Sequence, residues 1–299
     1  MSDLNHPTLF PDFVEKRIKT SQAEINLVTG GDGPPLLLLH GNPQTHIMWH
    51  KVAPRLAQHF TVVATDSRGY GDSSKPKGKP DHSNYSKRAL ALDQVEVMEA
   101  LGFARFHVAG HDRGGRVAHR MVLDHPDRVT KVAFLDIIPT YDLYRLTNKE
   151  FAISHWSNFF YMQPYDLPER LIAGDPEYFL RVNLTDFIDT EGVFPEEAVA
   201  EYMRCFRDPA AIHASCEDYR ASFSIDDEHD AADRHVKVRC PTLVLWGLKG
   251  SCEISFDTKG IWKDRADEVI YKTLDTNHYL AEEDPDGTFE TLYGFFASA

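Results

Sequence analysis

The stretch Val108-Ala109-Gly110-His111-Asp112-Arg113-Gly114-Gly115-Arg116 constrains the fold more than any other part of the chain. The segment before it, Phe103 to Ala109, reads as a buried strand, and Val117 to Leu123 reads as the first turns of a helix. A strand, a Gly-x-Asp-x-Gly turn and a helix form a nucleophile elbow, which lifts its central side chain to the top of a sheet at the N-terminus of the helix. The turn is tight and strained, and a side chain at Gly110 or Gly114 would clash there. The lifted side chain is a carboxylate, Asp112, where a serine or cysteine would make an acyl-transfer enzyme. That difference sets the reaction class.

Other segments repeat the strand-helix alternation. Strands are predicted at Phe13 to Lys19, Ala23 to Val28, Leu36 to Leu39, Phe60 to Thr65, Val132 to Asp136, Thr242 to Gly247 and Val269 to Leu274. Helices are predicted from about Trp49 to His59, Ser86 to Leu101 and Pro285 to Phe296. Leu36-Leu37-Leu38-Leu39 runs directly into His40-Gly41-Asn42-Pro43, as a parallel strand covered on both faces would. The pattern is α/β, a mostly parallel doubly wound sheet. It is interrupted from about Pro139 to Asp226 by aromatic and helical segments with no central strand. The expected organisation is therefore a core of residues 1–138 and 227–299 with an inserted helical lid, 139–226.

Charge and cysteine usage exclude several classes. The formal net charge of -14 disfavours a nucleic-acid or anionic-membrane partner. No apolar run approaches transmembrane length, and Met1 to Pro7 lacks the basic and apolar regions of a signal peptide. Cys205, Cys216, Cys240 and Cys252 are widely spaced and read as reduced thiols of a cytoplasmic protein. No metal-ligand spacing and no phosphate-binding loop is present, so neither metal nor cofactor is expected.

The expected chemistry follows from Asp112. Its partners in the α/β-hydrolase order are an acid and then a histidine. The loop after Trp246-Gly247 reads Leu248-Lys249-Gly250-Ser251-Cys252 and holds no acid, so Asp136, at the end of an apolar strand, is the better candidate. His278 follows the last strand and is the expected general base. A carboxylate nucleophile attacks saturated carbon bearing a leaving group, giving an ester that water then cleaves. Backbone N–H groups near Asn42 and Arg113 would meet the oxyanion. Carbon–halogen bonds and epoxides are the fitting substrates. Arg113 and Arg116 share a helix face in the first turn, where the macrodipole disfavours cations. They read as a clamp for a substrate carboxylate. Without one, an anionic substrate ~4 Å from Asp112 meets roughly 4 kcal/mol of repulsion at an effective dielectric of ~20.

At these residues the chain resembles the fluoroacetate (haloacetate) dehalogenases. The resemblance rests on His40-Gly41-Asn42-Pro43-Gln44-Thr45, Arg68-Gly69-Tyr70-Gly71-Asp72-Ser73-Ser74, Gly110-His111-Asp112-Arg113-Gly114-Gly115-Arg116, Cys216-Glu217-Asp218-Tyr219-Arg220 and Asn277-His278. It implies the α/β-hydrolase fold and hydrolysis of short 2-haloacids to 2-hydroxy acids. Asp112 would be the nucleophile, with Asp136 and His278 as its partners and Arg113 and Arg116 as carboxylate holders. Tyr219 would be a lid donor to the halide, and the assembly a homodimer. Asn42 stands where that family usually has Phe; haloalkane dehalogenases, which carry His-Gly-Asn-Pro, use this Asn on the halide. The family's lid also has a His-Trp pair four residues before Gln-Pro. Here six residues separate His155-Trp156 from Gln163-Pro164, so an ungapped register puts Ser157 and Asn158 at the halide positions. Either pair could face the halide. The alternative reaction, epoxide hydrolysis, would use Asp112 with Tyr219 and Tyr161 as the two donors to the epoxide oxygen.

Overall fold

A computed structural model describes residues 9–185 and 192–298. The N-terminal stretch read for a signal peptide and residues 186–191 of the expected lid lie outside the described residues. Among the described residues eight strands form one sheet: β1 Val14–Lys19, β2 Glu24–Gly30, β3 Pro35–Leu39, β4 Thr61–Thr65, β5 Phe106–His111, β6 Val129–Leu135, β7 Thr242–Gly247 and β8 Val269–Leu274. Their order is β1-β2-β4-β3-β5-β6-β7-β8. β2 runs antiparallel to both β1 and β4, and the ladder from β4 through β8 is parallel. The sheet order reverses around β3, so the loops after β3 and β5 diverge there, and such a switch point leaves a crevice at the strand carboxyl ends.

The leucine run explains why β3 is central. Leu36 and Leu38 belong to one core cluster, and Leu37 and Leu39 belong to the other. The period-2 alternation of side chains therefore fills both faces. The helices Lys87–Ala100 and Arg113–Asp124 cover the second face, and the closing helix Pro285–Phe296 covers the first.

Most predicted strands shift by one to three residues at an end, β6 starting at Val129 where Val132 is expected, and two differences have a clear local cause. β5 begins at Phe106 because Gly102, at φ 89°, ends the preceding helix, and the Phe103 N–H bonds back to Met98 O at 2.9 Å. That is a helix C-cap, which uses the residues that read as the strand's start. The helix predicted near Trp49 to His59 is instead a 3-10 turn, His46–Trp49, and a short helix, Ala53–Leu56, which carries Pro54 in its first turn. Proline suits a helix start and not an interior.

Between β6 and β7 every regular element among the described residues is helical, from Thr140–Leu146 to Ile225–Ala232. The last of these helices runs on past the expected boundary at 226. Among the described residues no helix is long and apolar enough to cross a membrane.

Candidate active site

Four loops at the carboxyl ends of the parallel strands bring the site together. Asp112 ends β5 with φ 46° and ψ -117°, the strained conformation expected of the elbow. A Cβ on Gly110 would stand 2.4 Å from Gly114 O, and one on Gly114 would stand 2.5 Å from His40 O. Both glycines are therefore fixed by backbone contact. Asp136 follows β6 with φ 48°, and Asn42 follows β3. His278 follows β8.

Asp112 and His278 line one cavity of about 40 Å³, together with Asp136, Arg116, Asn42 and Tyr219. The Asn42 N–H donates to Asp112 Oδ2 at 2.9 Å. His278 Nδ1 lies 2.6 Å from Asp136 Oδ2, and Asp136 Oδ1 accepts from Gly247 N–H at 3.2 Å. An ionised carboxylate can only accept, so Nδ1 carries the proton and Nε2 is left as the basic nitrogen. His111 Nε2 and the His278 carbonyl oxygen are 2.7 Å apart, and Glu283 accepts from the N–H groups of both Asn277 and Tyr279, at 2.8 Å each. The loop holding His278 is thus tied on both sides. His111 has no distinguishing sequence signal, whereas Glu283 belongs to the acidic run after His278.

Burial opposes ionisation of Asp112, but the charges of His278 and Arg113, then His111 and Arg116, outweigh it, so its pKa lies below the ordinary carboxylate value. Burial lowers His278, yet its hydrogen bond to Asp136 and the charges of Asp136 and Asp112 raise it overall. Burial and the Asp112 charge push the Tyr219 hydroxyl well above the phenol range, so it remains a proton donor.

The two arginines part company. Arg116 lines the cavity; its Nη1 donates to Ile138 O at 2.9 Å, while its buried Nε has no hydrogen-bond partner among the described residues. Arg113 does not line the cavity. Its Nε donates to Asp218 Oδ2 at 2.8 Å, and its Nη2 donates to Asp218 O at 2.9 Å and Ser222 Oγ at 2.5 Å. Its guanidinium lies 4.1 Å from the centre of the Tyr219 ring. Asp218 is buried and takes the fork, and a pairing from the distant helix Pro209–Phe223 leaves no mark in the local sequence.

Ser157 and Asn158 line the cavity and Trp156 does not. Trp156 is 37% exposed and packs against Phe160 and Phe179. His155 lines the cavity as well, because the helix breaks at it: it ends Lys149–Ser154 and precedes Trp156–Tyr161. The break frees it from the helical phase that would place it away from Ser157. Asn183, Ser251 and Cys252 also line the cavity. The acid-free loop after β7 marked the place of the last two, and nothing in the sequence marked Asn183. Tyr161 stacks on Tyr219 at 4.8 Å between ring centres and is not among the walls of the cavity. The four cysteines are free thiols.

A family model described as alpha/beta hydrolase fold matches residues 34–285. Fluoroacetate dehalogenase of Burkholderia sp is 46% identical over 293 residues, 97% of this chain and 96% of that protein. Soluble epoxide hydrolase of Corynebacterium sp. (strain C12) is 35% identical over 281 residues, 91% of this chain and 93% of that protein. The crystal structure of an alpha/beta hydrolase from Nostoc sp PCC 7120 superposes with a TM-score of 0.95 at 53% identity, covering 96% of this chain and 99% of that one. The chain belongs to the alpha/beta hydrolases, among the relatives of fluoroacetate dehalogenase.

Proposed function

We propose that the protein is a hydrolytic dehalogenase that converts short 2-haloacids, haloacetates first, to 2-hydroxy acids through an ester on Asp112. The observation that carries this reading is that Asp112 and Arg116 line one cavity of about 40 Å³, the arginine's buried Nε–H having no hydrogen-bond partner among the described residues. A buried donor left unpaired costs about 1–3 kcal/mol, and a substrate carboxylate would relieve that cost.

The Asp112 oxygen not held by Asn42 attacks the carbon bearing the halogen. The carbon–halogen bonding pair leaves with the halide, which meets the Tyr219 hydroxyl, with Ser157, Asn158 and Asn42 nearby. The ester carbonyl oxygen keeps the Asn42 N–H. Water then adds to the Asp112 carbonyl carbon while Nε2 of His278 takes its proton, and Asn42 N–H stabilises the oxyanion. Collapse expels the 2-hydroxy acid, whose alkoxide recovers the proton from His278, and the second proton of the water, left on the Asp112 carboxyl, passes to solvent to restore the carboxylate. The hydroxyl oxygen of the product comes from Asp112, and the water oxygen stays in the carboxylate. Esterification removes the Asp112 charge that raises His278, so the base is driven towards its neutral form when it is needed. Arg113 supports Tyr219 and lends positive charge from behind.

Fluoroacetate dehalogenation belongs to the Burkholderia relative by name, and epoxide hydrolysis to the Corynebacterium one. The epoxide reading needs two lid hydroxyls facing the nucleophile; Tyr161 stacks on Tyr219 and is not among the residues that line the cavity. The proposal includes a cytoplasmic homodimer that uses neither metal nor cofactor. Halide release from fluoro-, chloro- and bromoacetate, measured beside diol formation from a small epoxide, tests it. Release fastest from bromoacetate with no diol supports the proposal; diol without halide overturns it.

A further inference from the structure

A second cavity, of about 320 Å³, adjoins the catalytic one. The two share three residues, His155, Ser251 and His278. His278 belongs to the chemistry and Ser251 is small, so His155 is the one bulky partition that can vary. Its ring is fixed in place: it stacks on Phe151 at 4.2 Å and 13°, and its Nδ1 lies 2.9 Å from Ser154 Oγ. On the inner side, about 40 Å³ holds on the order of three waters, room for a two-carbon acid and little more.

Three of the outer chamber's polar side chains are already engaged. Lys249 Nζ lies 3.0 Å from Asp275 Oδ1, Asn277 Nδ2 donates to Glu283 Oε2 at 3.0 Å, and Ser154 Oγ donates to Glu150 O at 3.1 Å. The chamber adds the apolar surface of Ile254 and the ring of His155, beside the Glu150 carboxylate, which repels an anion. That suits an alkyl chain better than a second charged group.

We propose that His155 is the residue that sets chain length: it closes the catalytic cavity around a two-carbon 2-haloacid and bars longer alkyl chains from the chamber behind it. The inference rests on the dehalogenase reading for its substrate class. It also makes a binding claim that needs no turnover. One methylene in a tight pocket changes discrimination by about 10–200-fold.

The test is calorimetric binding of acetate, propanoate, butanoate and pentanoate to the full chain, with halide release from chloroacetate and 2-chlorobutanoate run in parallel. In the native protein affinity should fall at least about tenfold from acetate to pentanoate. His155→Ala should reverse that order, and His155→Phe should keep it. Ser255→Phe added to His155→Ala should refill the chamber and abolish the gain. His155→Val carries the same expectation and is used where His155→Ala melts early. An unchanged chain-length order in His155→Ala and His155→Val, or a gain that survives Ser255→Phe, overturns the inference. If the order reverses but no variant or native protein releases halide, the dehalogenase reading fails and the chain-length role of His155 stands.

Discussion

His278 Nδ1 stands 2.6 Å from Asp136 Oδ2, joining the loop after β8 to the end of β6. The contact fixes the imidazole's tautomer as well as its direction. Asp136→Asn keeps the shape but can present an amide N–H to Nδ1, which favours the wrong tautomer. Turnover should fall by roughly three to four powers of ten, as for other oriented histidines. Ester formation should survive, so the ester should accumulate under rapid quench. An Asp136→Asn variant that turns over normally would remove Asp136 from the mechanism.

Arg116 and Arg113 should respond differently. Arg116→Met removes a charge-assisted hydrogen bond to the substrate, contributing roughly 1.5–3 kcal/mol, so kcat/KM for chloroacetate should drop about 10–100-fold, while Tm falls only by the loss of the Nη1 bond to Ile138 O. Arg113→Lys cannot reproduce the fork on Asp218 and Ser222, so it should lower Tm along with kcat. Steady-state kinetics and thermal melts on the two variants separate these roles; identical behaviour would contradict the division.

Asp218 accepts from Arg113 and Tyr70 and pairs with Lys87, all within the buried interior. Burial disfavours its charge, but Arg113 and Lys87 outweigh that and depress its pKa. A carboxylate depressed on folding contributes stability that is present above its unfolded pKa of about 3.9 and is lost as pH falls through the lower folded value. Asp218→Asn should therefore cost about 3–5 kcal/mol at neutral pH and flatten the acid limb of stability below about pH 4. Urea melts from pH 7 to pH 3 check both effects, and parallel curves for the two proteins would refute the assignment.

The raised pKa of His278 in the free protein depends partly on the Asp112 charge. That charge disappears in the ester. The acid limb of single-turnover ester hydrolysis should thus lie at lower pH than the titration of the free imidazole followed by NMR. Coincident values would mean that Asp112 does not govern the base.

The sequence carried the site's chemistry further than its walls. β7, β8 and the closing helix fall at their predicted bounds because apolar runs and turn residues delimit them locally. Asp112, Asp136 and His278 were legible because each follows a strand at the carboxyl end of the sheet. The Arg113–Asp218 pairing, the break at His155 and the outward Trp156 depend on how a distant lid segment packs, and no local periodicity encodes that packing. The expectation that Arg113 and Arg116 act as one clamp came from helix phase, which places two side chains on a face but does not decide which of them a buried carboxylate captures.

The covalent step is the centre of the account, and His278→Ala isolates it by removing the base for the second half-reaction. Incubated with chloroacetate and digested, that variant should yield the peptide containing Asp112 carrying one added carboxymethyl group, with at most one chloride released per chain. A peptide without the adduct while chloride release continues, or an adduct on a residue other than Asp112, would contradict it.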